Sequence, residues 1–213
     1  MVSAIQEQLE AIYQIHCEHR AVEFLVSKEV AKALGGTCRA DEELLLCDQS
    51  GELEVALYLA PALLEKLAQM GDLPAAQILE RDLDSYCQVA EGVSHFLYLA
   101  QTADQHRTVS LLEMEIQAEI DKFASCVFNG WPNLTADWVN TLHHRLFDWV
   151  TFSPQLSSGE RWRYQEANRL SGNYCRALIP LVLTRHYERF LHQLRYSYRL
   201  GAEAKLRHLS EVR

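Results

Sequence analysis

The sequence predicts a mainly α protein: a multi-helix bundle with a small N-terminal α/β cap that contains one β-hairpin, at about residues 43–59. Three observations lead there. From Pro61 onward apolar residues recur at steps of three and four, the period of an amphipathic helix. Between residues 52 and 59 the period drops to two, the repeat of a strand with one face buried, and a turn links this stretch to the apolar run before it. No apolar run approaches the roughly 20 residues of a membrane-spanning helix, so these apolar faces must pack on one another. The expected organisation is residues 1–72 as the cap and residues 73–213 as the bundle, packed as one continuous unit.

In chain order, Ile5, Leu9 and Ile12, followed by His16 and His19, place a first helix over about residues 3–19. Val22, Leu25, Val30 and Leu34 suggest a second, stopped by Gly35–Gly36. In "EELLLCDQSGELEVALYLAP", Leu53, Val55, Leu57 and Leu59 alternate with Glu52, Glu54, Ala56 and Tyr58, and "DQSG" supplies the hairpin turn. An isolated hairpin is marginal, so it must pack on helices or pair with a further strand. "PALLEKLAQMG" has proline in its first turn and Gly71 as its stop.

Leu79, Leu83, Tyr86, Ala90, Val93, Leu97 and Ala100 then form the seam of a long helix over about residues 74–102. "SLLE" at Ser110–Glu113 reads as a capping box for the next helix, whose core face is Leu112, Ile116, Ile120 and Phe123. "NGWPNLTAD" is a loop before a helix carrying Trp138, Leu142, Leu146 and Trp149. The final helical region, from about residue 159, is expected in two pieces. Ala167, Leu170, Tyr174, Leu178 and Leu181 line one face up to Pro180, and Leu183, Tyr187, Phe190 and Leu194 another beyond it. Proline removes a backbone donor, so the break is placed there.

Charge divides the chain. Residues 161–213 hold eleven bases, ten of them Arg, against four acids, a net of +7, whereas the whole chain has a net charge of −9. Asymmetry of this size points to an anionic partner or to packing of the two segments on each other. Near the end of the chain Arg185, Arg189, His192, Tyr196 and Arg199 share a helical face, with Arg195 beside it and Glu188 interrupting it. Guanidinium forks match phosphate and carboxylate oxygens bidentately, and tyrosines can stack on bases. The plain reading is a solvated or self-neutralised face; the functional ones are a protein partner and a nucleic acid. A pI near 5.5 is far from that of a typical nucleic-acid-binding domain.

A second polar set lies on the long helix, opposite the seam: Asp84, Gln88, Glu91, His95, Tyr98 and Thr102. Glu91 and His95 are one turn apart, so the carboxylate can orient the imidazole or share a metal with it, and Glu115 and Glu119 are the further carboxylates at hand. A bundle carboxylate site normally uses Glu-x-x-His, and the spacing here is one longer. A polar helix–helix contact is the simpler expectation. His16 and His19 lack the further ligands a zinc site needs. The six cysteines stand singly, without a metal-binding or disulfide spacing.

No nucleotide-binding, hydrolase or metalloprotease signature is present. The sequence is therefore read as that of a binding protein rather than an enzyme, with no cofactor, metal or catalytic residue assigned. It is expected to be a non-catalytic subunit of a larger assembly, joined to a protein partner or to further copies of itself through its oppositely charged surfaces. The alternatives are a nucleic-acid or phosphate binder using the C-terminal arginines, and a bundle enzyme or metal protein centred on Glu91 and His95. The opening "MVSAIQEQLEAIYQ" has acids where a secretory leader needs a basic stretch and an apolar core, so a cytoplasmic, non-membrane location is expected.

Overall fold

The computed structural model describes residues 1–49, 52–70, 75–131 and 134–212. Its elements are α1 (Val2–Tyr13), β1 (Leu25–Val26), α2 (Lys28–Ala33), β2 (Glu42–Gln49), β3 (Glu52–Leu59), α3 (Pro61–Ala68), α4 (Ala75–Asp104), α5 (Leu111–Gly130), α6 (Ala136–His143), α7 (Ser158–Leu183), α8 (Tyr187–Arg199) and α9 (Ala202–Glu211). This is the mainly α bundle with a small sheet that the periodicity predicts. The hairpin tip at Ser50–Gly51, the stop at Gly71 and the Pro132–Asn133 part of the following loop lie outside the described residues.

The hairpin pairs in antiparallel register, with Leu44 opposite Leu57 and Leu45 opposite Ala56. Its stability problem is solved in both of the ways open to it. A third strand, β1, runs parallel to β3 through Leu25–Leu57 and Val26–Tyr58, giving the sheet order β1-β3-β2. Helix α4 covers one face and α2 the other, so Ala56, Leu57, Tyr58 and Leu59 are all buried, and the end of β3 is not half-exposed as its alternation suggests. Gly92 makes the contact with α4 possible. A Cβ there would lie 2.8 Å from Glu42 Cγ and 3.1 Å from Leu57 Cδ1. Gly92→Ala is expected to lower stability by about 1 kcal/mol, because overpacking outweighs the gain in helix propensity. Urea unfolding checks this; a more stable variant would contradict the close approach.

Four elements differ from expectation. The second helix is replaced by a 3₁₀ turn (Ala21–Phe24), β1 and the short α2, which Ser27 caps by accepting from the Val30 N–H at 3.4 Å. Val22 and Val30 are exposed, so their helical spacing marked no core face. Helix α1 ends at Tyr13 because Gln14 adopts a left-handed conformation (φ 52°), which leaves His16 and His19 in an exposed loop instead of on the helical stripe. Within α4, Asp82 is non-helical and its carboxylate accepts from the Ser85 N–H at 3.2 Å, so a short helix feeds into a recapped longer one. Finally, α7 runs straight through Pro180 to Leu183. Pro180 is on the exposed side of the helix, where the carbonyl it leaves without a donor reaches water. The break comes at Thr184–His186, with Arg185 left-handed (φ 58°), and a second one at Leu200–Gly201 separates α8 from α9.

Caps follow the sequence only in part. Ser110 accepts from the Glu113 N–H at 3.1 Å, but the Glu113 side chain turns into the interior; the complete capping box is Ser157–Glu160, at the start of α7. One apolar core joins cap and bundle: Leu9 and Tyr13 of α1, Leu57 of β3, Val93 and Leu97 of α4, Ile116 and Phe123 of α5, Leu170 and Cys175 of α7, and Phe190 of α8. Tyr13 stacks on Tyr198 with ring centroids 4.0 Å apart, fixing α1 against α8. Among the described residues no helix is long and apolar enough to cross a membrane.

Candidate functional sites: an arginine face and two buried polar clusters

The α8 helix presents the expected face. Arg189, His192, Tyr196 and Arg199 are exposed along it, and Arg185 is exposed in the turn before it. Among the described residues no carboxylate pairs with the guanidinium of Arg185, Arg189 or Arg199. Six arginines elsewhere do find acids. Arg20, Arg107, Arg145, Arg163, Arg169 and Arg176 each approach a carboxylate oxygen at 3.4 Å or less. Arg195 has a different task. Its Nε donates to the Ile12 carbonyl at 2.7 Å, and its Nη2 lies 3.5 Å from the Ala11 carbonyl, so it satisfies orphan acceptors at the C-terminus of α1. A groove of about 510 Å³ opens between these helices, lined by Gln14, Glu188, His192, Arg195, Tyr196 and Arg199. A cavity of about 570 Å³ lined by Phe24, Leu34, Leu45, Phe96 and Leu99 holds none of the predicted site residues.

The polar side of α4 is an interior contact, since His95, Tyr98 and Thr102 are buried while only Asp84 is fully exposed. It feeds two clusters. In the first, His95 lies between two carboxylates: Nδ1 is 3.4 Å from Glu42 Oε1 of β2, and Nε2 is 3.3 Å from Glu115 Oε2 of α5. Arg163 of α7 stands 3.4 Å from the other Glu115 oxygen. Lys122 Nζ bridges Glu91 and Glu119, at 2.9 Å from each. Burial would depress the His95 pKa, but the facing Glu115 and Glu42 outweigh it and hold the imidazole well above its usual value. Burial raises the carboxyls of Glu42 and Glu119. For Glu91 burial acts in the same direction, but Lys122 and then His95 overcome it and the pKa is lowered.

Tyr98 does not join His95. Its hydroxyl belongs to the second cluster, where it donates to Glu113 at 2.5 Å and accepts from Arg107 at 3.0 Å and from Lys205 at 2.7 Å. Lys205 of α9 is fully buried and also donates to Gln117 Oε1 at 2.8 Å. Asp121 accepts from Tyr13, from Ser94 at 2.6 Å and from Gln117 at 2.7 Å. Burial pulls the Lys205 ammonium down to about 7 and pushes the Asp121 carboxyl up to about 6.

No family match emerges. Comparisons of the chain with protein-family models, curated proteins and solved structures return nothing similar. The sites therefore stand on their geometry. Sequence reasoning had Glu91, His95, Glu115 and Glu119, and it missed Glu42 and Arg163, which come from two other stretches of chain, and Lys122, which lies one turn beyond Glu119 on α5. The second cluster did leave a trace: Glu113, Gln117 and Asp121 recur every fourth residue along α5, and Lys205 is the one lysine among ten arginines in residues 161–213.

Proposed function

We propose that the protein is an interaction subunit of a larger assembly and engages an acidic partner surface through the exposed face of α8. The observation that carries this reading is the set of guanidinium groups at Arg185, Arg189 and Arg199, gathered at one exposed face without a carboxylate partner among the described residues. Solvated arginines that lack an internal partner can pair bidentately with carboxylates brought by another surface. The acidic remainder of the chain makes a second copy one such surface. Contacts of this kind set partner choice and association rate more than affinity. The five described cysteines are free thiols, which agrees with a reducing, cytoplasmic setting.

A second reading, a single-stranded nucleic acid, is favoured by one feature. Tyr196 is 49% exposed beside His192, Arg195 and Arg199, a ring on which a base can stack. One experiment separates the two. The protein and its Arg189→Glu/Arg199→Glu variant are titrated with polyglutamate and with single-stranded RNA at several salt concentrations. The acidic-partner reading expects polyglutamate to bind at least as well as RNA, with affinity at least tenfold lower in the variant. Tighter RNA binding, with a log–log salt slope near about −2 for three phosphate contacts, selects the nucleic acid. Equal behaviour of wild type and variant removes both.

A further inference from the structure

We propose that Glu91, His95 and Glu115 form a binding site for a divalent transition-metal cation. The first support is convergence. One ligand atom from each of Glu91, His95 and Glu115 lies within 4.8 Å of the others, from helices α4 and α5. The second is an unpartnered nitrogen. The His95 side chain is 9% exposed, and its Nε2 has no hydrogen-bond partner, because its approach to Glu115 lacks the alignment a hydrogen bond needs. Glu119 Oε2 is likewise buried without a partner.

Glu42 explains how the imidazole is set. Its carboxylate lies 3.4 Å from Nδ1, and with Nδ1 donating to it Nε2 is the ring atom turned towards the acids of α4 and α5. This carboxylate–histidine relay is the usual support behind a metal-bound imidazole. A lone pair facing carboxylate oxygens repels them unless a proton or a metal cation sits between, and the metal competes with the proton for that place. The charge agrees. Four glutamates face Lys122 and Arg163, so a divalent cation that displaces the proton Glu115 and Glu42 otherwise hold on His95 leaves the cluster without excess charge.

Access is present as well, since the Glu91 side chain is 25% exposed and that of Glu119 is 18% exposed. Tetrahedral ligands at bond lengths of about 2 Å lie roughly 3.3 Å apart, so the donors need to close by up to about 1.5 Å. Glutamate rotamers at a partly open mouth allow that. One imidazole with several carboxylates suits zinc, manganese or ferrous iron better than calcium or magnesium.

The other grouping of this kind, His143, His144 and Asp148, differs in the respect that matters. His143 Nε2 is bonded to the Gly172 carbonyl at 2.9 Å, His144 Nδ1 to Asp148 at 2.5 Å, and Arg176 holds the same carboxylate at 3.2 Å. Both of its imidazoles already have a hydrogen-bond partner at a ring nitrogen facing the cluster, whereas His95 Nε2 has none, so it serves as the control.

The test uses tag-free full-length protein, stripped with chelator and titrated with Co²⁺ by visible absorption and with Zn²⁺ by calorimetry. One equivalent is expected to bind, with d–d bands of a low-symmetry nitrogen–oxygen site. Affinity should fall at least tenfold in His95→Gln and in Glu115→Gln and stay unchanged in His144→Gln. Glu91→Gln, at the exposed mouth, gives the same readout if the more buried variants do not fold. The proposal is overturned if no saturable equivalent binds, as an imidazolium held permanently between Glu42 and Glu115 would dictate. Binding that survives the cluster variants, or is lost in His144→Gln, overturns it too.

Discussion

Replacing Asp121 with alanine is expected to lower the unfolding free energy by about 4 kcal/mol. The carboxylate is 2% exposed and accepts from Tyr13 of α1, Ser94 of α4 and Gln117 of α5, so it ties three helices together where water does not reach. Alanine leaves these donors facing a void, and each buried donor without a partner costs about 1–3 kcal/mol. Urea unfolding followed by circular dichroism reads the change; a loss below about 1 kcal/mol would mean that the donors find other acceptors. Asp121→Asn isolates the charge. Burial raises this carboxyl to about 6, so between about pH 4 and pH 6 the folded protein holds a proton that the unfolded chain has released. Wild-type stability relative to Asn is therefore greatest below about pH 3 and falls by about 3 kcal/mol in all as the pH rises to 7. A flat difference over that range would show that the carboxyl titrates as it does in the unfolded chain.

The second large effect is expected at Lys205. Its ammonium is fully buried and burial lowers its pKa to about 7, against about 10.5 in the unfolded chain. Between those values the unfolded chain binds a proton that the folded protein does not, so stability from this group rises with pH. Lys205→Met keeps the length and removes the titration. Relative to the variant, wild type should gain about 2 kcal/mol between pH 7 and pH 9, with the difference constant below about pH 6. Thermal or urea unfolding across that range measures it. A difference independent of pH would place the amine in contact with water, in conflict with its bonds to Tyr98 and Gln117.

These two residues mark where the sequence was hard to read. Asp121 and Lys205 look like ordinary charged residues on amphipathic helices. Burial becomes visible only when α1, α4, α5 and α9 meet, because the partners of Asp121 are 4, 27 and 108 positions away in the chain. The Glu91–His95 pair was legible because it lies within one helical turn. Glu42 was not, since it reaches His95 across 53 residues. The arginine face of α8 was legible for the same local reason, and its spacing survives in the structure from Arg189 to Arg199. Arg195 could not be separated from its neighbours, because its role is to cap a helix 183 residues earlier.

Periodicity by itself determined the helical architecture, the hairpin and the direction of the main apolar seams. The burial energy of one side chain repeats every 3.6 or 2 residues, whichever partners cover it. It also determined that the C-terminal helices are cationic. Three things were decided by tertiary structure alone. β1 exists because an exposed hairpin edge found Leu25 and Val26. α7 continues through Pro180 because that residue faces solvent, where a lost hydrogen bond is replaced by water. The polar side of α4 became an interior because β2, α5 and α7 bring compensating charge to it. A segment cannot encode these outcomes on its own, since the cost of a charge or of an open backbone group depends on what surrounds it.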